Sequence, residues 1–533
     1  MDQDWTRIVK DFHGLASEVV NRIRKYGVIK AKACDKRTLD HWLEEGAQPQ
    51  TASPVASFLR LALQQGIDTA PYQTFTPIYD FSPGLTYELQ AESGPPPLEW
   101  LSDYQSLPRP RLTRYCGVEA DCPVGIASSP IVNDDRWTST MLGLGFGIST
   151  LKTRRARPKK AYDPPLIGFV VGAPDLSRYD ASNPPTIELS LKREDGAMPI
   201  PDMVNSIGVP SEAPGVWEEI YERVKQHPLG GTVGLSILGD GENKAEVLKA
   251  FDELAARARS LRPPFLECNV SCPNLEKRPS DIFRDPSFML DVCRTVKQVM
   301  AGSSTALVLK LPWLEEADLR KLIPKVASHI NGVALKNTVR VRPVRRDRDG
   351  DLQPAFPGIG REFGGLSGPS TRNLTKRGVR SLVRIKEEGR YDFHVMAIGG
   401  ICETTDVVEL LNLGADAVQA CTAPMFDPLL AWKVRFHLAH VKHNIRNATS
   451  EEQILLPRDH RELRCYVNLQ SALRVIRSRS GAYKVPDSAV TKKWNEWMQQ
   501  PATHLPHAEG LRNQTRRERS VDEWIRILMP QRP

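Results

Sequence analysis

The chain has no run of about 18 consecutive apolar residues, the length a membrane-spanning helix needs. It also lacks paired cysteines. Nine cysteines are scattered through 533 residues with no Cys-x-x-Cys pair and no zinc-finger spacing. That argues against an iron–sulfur cluster or a structural zinc, and points to free thiols in a reducing, cytoplasmic compartment. The first residues, MDQDWTRIVKDFHG, carry acids and no apolar core, so they read as neither a secretory signal nor a transit peptide. Charge of one sign is missing from most of the chain. The net charge is +8, and the stretch 426–533, with 19 Lys and Arg against 11 Asp and Glu, holds all of the excess. Such a basic tail can meet a polyanion or simply be a solvated surface.

What is present is length enough for two or three domains, one of which can be a barrel of roughly 250 residues. Residues 1–68 read as a helical module: Val19, Ile23 and Tyr26 recur at helical spacing, as do Leu39, Trp42 and Leu43, then Phe58, Leu59 and Leu63. Residues 69–115 are rich in proline, serine and aromatics and read as an arm that wraps the next domain. From residue 116 to 445 short β-type runs alternate with amphipathic helices. The candidate strands are Val124–Ala127, Gly147–Leu151, Thr232–Leu238, Phe265–Ser271, Ala306–Leu311, Gly332–Lys336, His394–Ile398 and Ala417–Ala420. Eight strands separated by helices predict an α/β fold, a closed parallel (β/α)8 TIM barrel with its ligands at the strand C-termini. Residues 160–200 read as an insertion after the second strand, and Arg340–Arg348 as a basic loop after the sixth. Residues 446–533 form a C-terminal extension whose three tryptophans, Trp494, Trp497 and Trp524, predict packing rather than disorder.

Polar residues cluster where strands end. The first strand runs into Ala127, Ser128 and Ser129, the second into Lys152 and Thr153, the fifth ends at Lys310, the sixth in Asn337 and Thr338, the eighth in Cys421 and Thr422. Two glycine-bearing segments, Phe363-Gly-Gly-Leu-Ser-Gly368 and Gly399-Gly400, are turns whose backbone N–H groups can approach a phosphate. The fourth strand ends in Phe265-Leu-Glu-Cys-Asn-Val-Ser-Cys-Pro-Asn274, which sets the thiol of Cys272 between the amides of Asn269 and Asn274.

That last segment resembles the catalytic strand and loop of dihydroorotate dehydrogenases, in which Asn-x-Ser-Cys-Pro-Asn marks the soluble, cysteine-using class. The resemblance spans roughly residues 120–435. It implies an FMN flavoprotein that oxidises dihydroorotate or a close dihydropyrimidine. The implied general base is Cys272, acting at substrate C5 while hydride leaves C6 for flavin N5. Lys152 would bridge flavin and substrate carboxylate. Asn205, Asn269, Asn274, Asn337 and Thr338 would read the substrate. Ala127, Ser128, Lys310, Gly365, Gly399, Gly400, Cys421 and Thr422 would contact the cofactor, Cys421 through its backbone. Lys336 departs from the family pattern, which usually has a small or apolar residue there, so an extra charge is expected near the flavin.

Lys32–Pro49, KACDKRTLDHWLEEGAQP, resembles the helix-turn-helix of repressor-like domains. It implies a DNA or other polyanion partner through residues 1–68, with 446–533 as a second basic candidate. Asp40, Glu44 and Glu45 on the same helix would repel phosphates. The competing reading of this segment is a small helical bundle for self-association or docking, and the alternative function for the chain is a nucleic-acid-associated regulator or complex subunit that uses the flavin barrel as a sensor or scaffold. A homo-oligomer completes the expected partners.

Overall fold

Two glycines decide how the main sheet closes. A Cβ on Gly125 would stand 1.4 Å from the carbonyl oxygen of Ile148, and one on Gly147 would stand 2.2 Å from that of Cys122. Without side chains, the strands Val124–Ile126 (β1) and Ile148–Thr150 (β2) approach closely enough for Gly147 N–H to donate to Val124 at 2.8 Å. The remaining strands are Thr232–Ile237 (β3), Phe265–Asn269 (β4), Ala306–Leu311 (β5), Gly332–Leu335 (β6), His394–Ile398 (β7) and Ala417–Ala420 (β8). They run β1-β8-β7-β6-β5-β4-β3-β2, all neighbours parallel. This is the (β/α)8 barrel. Each strand corresponds to a predicted run, trimmed by at most two residues at an end.

The computed structural model describes residues 77–96, 113–120, 122–193, 200–226, 231–271, 285–442, 469, 487–499 and 521–528. Cys272, Asn274, the helix-turn-helix-like segment with the rest of 1–68, and most of 69–115 and 446–533 lie outside those residues.

Buried on both faces, the strands read as apolar runs, as parallel strands must. The helices between them present one apolar stripe each. In Lys244–Leu261 the stripe is Val247, Ala250, Phe251, Leu254, Ala258 and Leu261, and the Asn243 side chain caps the helix by accepting from Glu246 N–H. An antiparallel hairpin, Thr113–Tyr115 with Val118–Ala120, packs Tyr115 edge-on against Phe265.

Two expectations need correction. Arg340–Arg348 is not a loop: Val339–Arg346 is a strand in which Val339, Val341 and Pro343 are buried while its arginines are more exposed. Phe363–Gly368 is not a glycine turn either, because Gly364–Ser367 is a strand. Both join a second sheet with Ile167–Val170, Thr186–Ser190 and Met203–Asn205. Each strand pairs with the next and the last returns to the first, so five strands form a small ring. Its core includes Ile187, Leu189, Val204, Val341, Phe356 and Leu366. The 160–200 insertion thus supplies two of the five strands. Arg361, buried, staples the connecting segments: it donates to Ser206 Oγ and to the carbonyls of Asp163, Pro165, Ser206 and Pro357, at 2.6–3.1 Å.

The chain divides into two compact units, Thr76–Gln105 with Arg111–Trp432, and Met1–Phe75 with Ser106–Pro110 and Lys433–Pro533. The first contains the barrel and the small ring. In the second, Trp494 and Trp497 stack at 5.0 Å and Trp524 lies 6.4 Å from each, all three buried. Among the described residues no helix is long and apolar enough to cross a membrane.

Candidate active site

A cavity opens at the C-terminal ends of the barrel strands, with an empty volume of about 1200 Å³ including its mouth. The barrel provides one wall. The small ring provides another through Ile167, Met203, Asn205, Leu366 and Ser367. Of the residues singled out in the sequence, Ala127, Ser128, Lys152, Asn205, Asn269, Lys310, Asn337, Thr338, Gly399, Gly400, Cys421 and Thr422 line it. Gly365 does not. It sits inside a strand beside Asn205, whose Nδ2 donates to its carbonyl at 3.0 Å, while Leu366, Ser367 and Gly368 reach the cavity in its place.

The lining has three lysines, Lys152, Lys310 and Lys336, and among the described residues no Asp or Glu. All three lysines are buried. Such a wall favours a ligand carrying negative charge. At one end, Gly368, Gly399 and Gly400 hold φ of 117°, 96° and 73°, values that favour glycine. A Cβ on Gly400 would stand 2.4 Å from the backbone of Arg372, so this turn lies hard against the start of the helix Arg372–Gly389. Backbone glycines beside a helix N-terminus form a cradle that suits a phosphate.

Linking several lining residues runs a chain of side chains that brings in Ser236 and Glu267, which the sequence reading did not assign. The two-residue period of a strand turns both Glu267 and Asn269 of β4 into the barrel. Lys310 Nζ is 3.4 Å from Glu267 Oε1, with both residues at most 2% exposed. Ser236 Oγ of β3 donates to the same oxygen at 2.8 Å. Thr153 Oγ1 lies 3.0 Å from Ser236 Oγ and 2.9 Å from Ser128 Oγ, and it accepts from Asn269 Nδ2 at 3.0 Å. A glutamate within the apolar run of β4 was the signal: a buried carboxylate requires a cation and hydrogen-bond donors.

The two amides share an anchor. Asn269 Oδ1 accepts from Ser271 Oγ at 2.8 Å, and Asn337 Nδ2 donates to the carbonyl and Oγ of Ser271 at 3.2 and 3.0 Å. Asn337 Oδ1 accepts from Thr338 N–H at 2.9 Å. Ser271 immediately precedes Cys272, so this clamp fixes the chain just before that residue. Thr422 Oγ1 donates to Ser367 Oγ at 3.0 Å, joining β8 to the ring.

Burial alone pushes the Lys336 amine down to about 7. Burial also raises the Cys421 thiol above its ordinary value, although a hydrogen bond with Ser129 and the charges of Lys310 and Lys152 pull against it. Among the described residues no cluster of His, Cys, Asp or Glu could hold a metal.

Fold and cavity together define a parallel β/α barrel that presents amides, hydroxyls and lysines to an anionic ligand. Residues 197–441 match the family model of Dihydroorotate dehydrogenase. The Dihydroorotate dehydrogenase of Dictyostelium discoideum is 21% identical over 366 residues, which are 67% of this chain and 96% of that protein. The Dihydroorotate dehydrogenase B (NAD(+)), catalytic subunit, of Methanocaldococcus jannaschii is 24% identical over 318 residues, 58% of this chain and 85% of that one. The ligand-free crystal structure of DHODH from Eimeria tenella aligns with a TM-score of 0.49 at 18% identity, covering 67% of this chain and 96% of that one. Over these stretches the chain is similar to dihydroorotate dehydrogenases.

Proposed function

We propose that this protein oxidises dihydroorotate, or a close dihydropyrimidine, to orotate using bound FMN. The observation that carries the reading is the cavity wall, where Asn205, Asn269, Asn337 and Thr338 meet Lys152 and Lys310 with no acid among the described lining residues. Carboxamides can pair with the alternating carbonyl and N–H groups of a dihydropyrimidine ring. Lys152 suits the substrate carboxylate, and the glycine cradle suits a phosphate.

When bound, FMN supplies the acceptor for the hydride that leaves substrate C6. The protein's own part is proton removal and orientation. Cys272 Sγ takes the proton from C5 as the C5–C6 double bond forms. The Asn269–Ser271–Asn337 clamp sets the entry of the segment that bears it. Lys310, held by Glu267, would stabilise negative charge on the reduced flavin.

Anaerobic mixing of the purified holoprotein with dihydroorotate tests the reading. Wild type bleaches its flavin. Cys272→Ala retains FMN but bleaches roughly 10²–10⁴-fold more slowly, the range a positioned base contributes. Cys272→Ser keeps partial activity with its optimum at higher pH, since an alcohol is the weaker acid. Wild-type bleaching by the Ala variant would refute the assignment of the base. A wild-type protein that takes up no FMN would refute the cofactor.

A further inference from the structure

We propose that Lys336 is a phosphate-binding residue, its ammonium and the Gly399–Gly400 turn together seating the phosphate monoester of FMN. The inference rests on the flavin reading above and gives a role to the lysine that departs from the family pattern.

Lys336 follows the last residue of β6 and is only 1% exposed. Among the described residues no carboxylate pairs with it and burial is the one influence on its charge. A buried ammonium with no counter-ion is costly. Lys310 shows the contrasting case, since it has Glu267. Lys336 instead lines the cavity, where a ligand can supply the missing negative charge.

Its direction identifies which part of the ligand. Nζ lies 3.2 Å from the point where a Cβ on Gly399 would stand, and the hydroxyls of Thr371 and Thr375 lie 3.6 and 3.7 Å from the same point. Thr375 Oγ1 donates to the Gly399 carbonyl at 2.8 Å, which holds the turn in place. Thr371 immediately precedes the 18-residue helix Arg372–Gly389, whose N-terminal end carries partial positive charge. An unpaired ammonium, a glycine turn and a helix N-terminus therefore converge on one end of the cavity. A phosphate dianion matches all three, because its several oxygens can accept from a lysine and from backbone N–H groups at once.

Titration of the flavin-free full-length protein with FMN and with riboflavin, followed by flavin fluorescence, isolates the phosphate. Wild type should prefer FMN. Lys336→Met should bind FMN about tenfold or more weakly, while riboflavin affinity stays within about threefold. Lys336→Arg should keep most of the preference. Inorganic phosphate should compete with FMN on wild type and much less on Lys336→Met. Removing an uncompensated buried charge should leave the flavin-free Met variant at least as heat-stable as wild type. A less stable Met variant would contradict the claim that this amine has no partner. An unchanged FMN-to-riboflavin ratio in Lys336→Met, or equal losses for both flavins, would overturn the proposal. If wild type bound neither flavin, the cofactor reading itself would fall, and this inference with it.

Discussion

Glu267→Gln is the sharpest perturbation available in the barrel interior. It removes one charge and keeps the size of the side chain. The glutamine oxygen can still accept from Ser236, so the loss falls on Lys310, whose partner is 3.4 Å away and whose side chain is 2% exposed. Breaking a buried pair from one side costs about 3–5 kcal/mol, because the remaining charge is stranded. The long separation and the preserved hydrogen bond place this case near 3 kcal/mol. Because the chain has two units, a single melting curve would blur the effect. Hydrogen exchange measured by mass spectrometry on peptides covering Phe265–Asn269 and Ala306–Leu311 reads it locally. A loss of about 3 kcal/mol corresponds to exchange on the order of 100-fold faster in those strands. Saturation with FMN and orotate should recover part of the protection by giving Lys310 an anionic neighbour. Exchange within about threefold of wild type in the ligand-free variant, under 1 kcal/mol, would refute the view that this pair is buried and coupled.

Gly125→Ala forces a Cβ to within 1.4 Å of the Ile148 carbonyl, backbone against backbone. The expected result is insoluble protein, or a loss above about 3 kcal/mol read by hydrogen exchange in Val124–Ile126 and Ile148–Thr150. Arg361→Met removes the donors of five hydrogen bonds. Limited proteolysis should then cut near residues 163–167 and 205–207 while the barrel stays resistant. Calorimetric titration of FMN in buffers of different ionisation enthalpy should show proton uptake approaching about one per flavin near pH 8. The sign follows from Lys336. Burial lowers its amine to about 7, so it is mostly neutral at that pH, and a phosphate dianion favours the ammonium form and draws a proton in. The uptake should vanish in Lys336→Met.

The barrel was legible because parallel strands buried on both faces write themselves as short apolar runs between glycine and proline. Ala306–Leu311, His394–Ile398 and Ala417–Ala420 could be read to the residue. The small ring was not, for two reasons. Gly364 and Gly365 make a strand look like a turn, yet they are needed there, since a Cβ on Gly364 would meet Val204 at 2.5 Å and one on Gly365 would meet Thr338 at 2.3 Å. In Val339–Arg346 the run of arginines outweighed the alternation Val-Arg-Val-Arg, although that alternation is the signature of a half-buried strand. Residues at strand ends announced themselves as cavity lining. Ser236 and Glu267 did not, because they meet each other and Thr153 inside the barrel, from segments far apart in sequence. Lys336 stood out only as a departure, and the role proposed for it came from the absence of a counter-ion among the described residues.

The Glu267 carboxylate has a consequence for the orientation of protons. A carboxylate can only accept, so Ser236 spends its single hydroxyl proton on it. Thr153 must then donate to Ser236, and Ser128 must donate to Thr153. The two lone pairs of Thr153 are filled by Ser128 and by Asn269. One negative charge deep in the barrel thereby sets the sense of every link, like a row of arrows all pointing inward. At the far end Ser128 has given its proton away and meets the cavity as an acceptor. The ligand edge that docks against it must bring an N–H or O–H of its own.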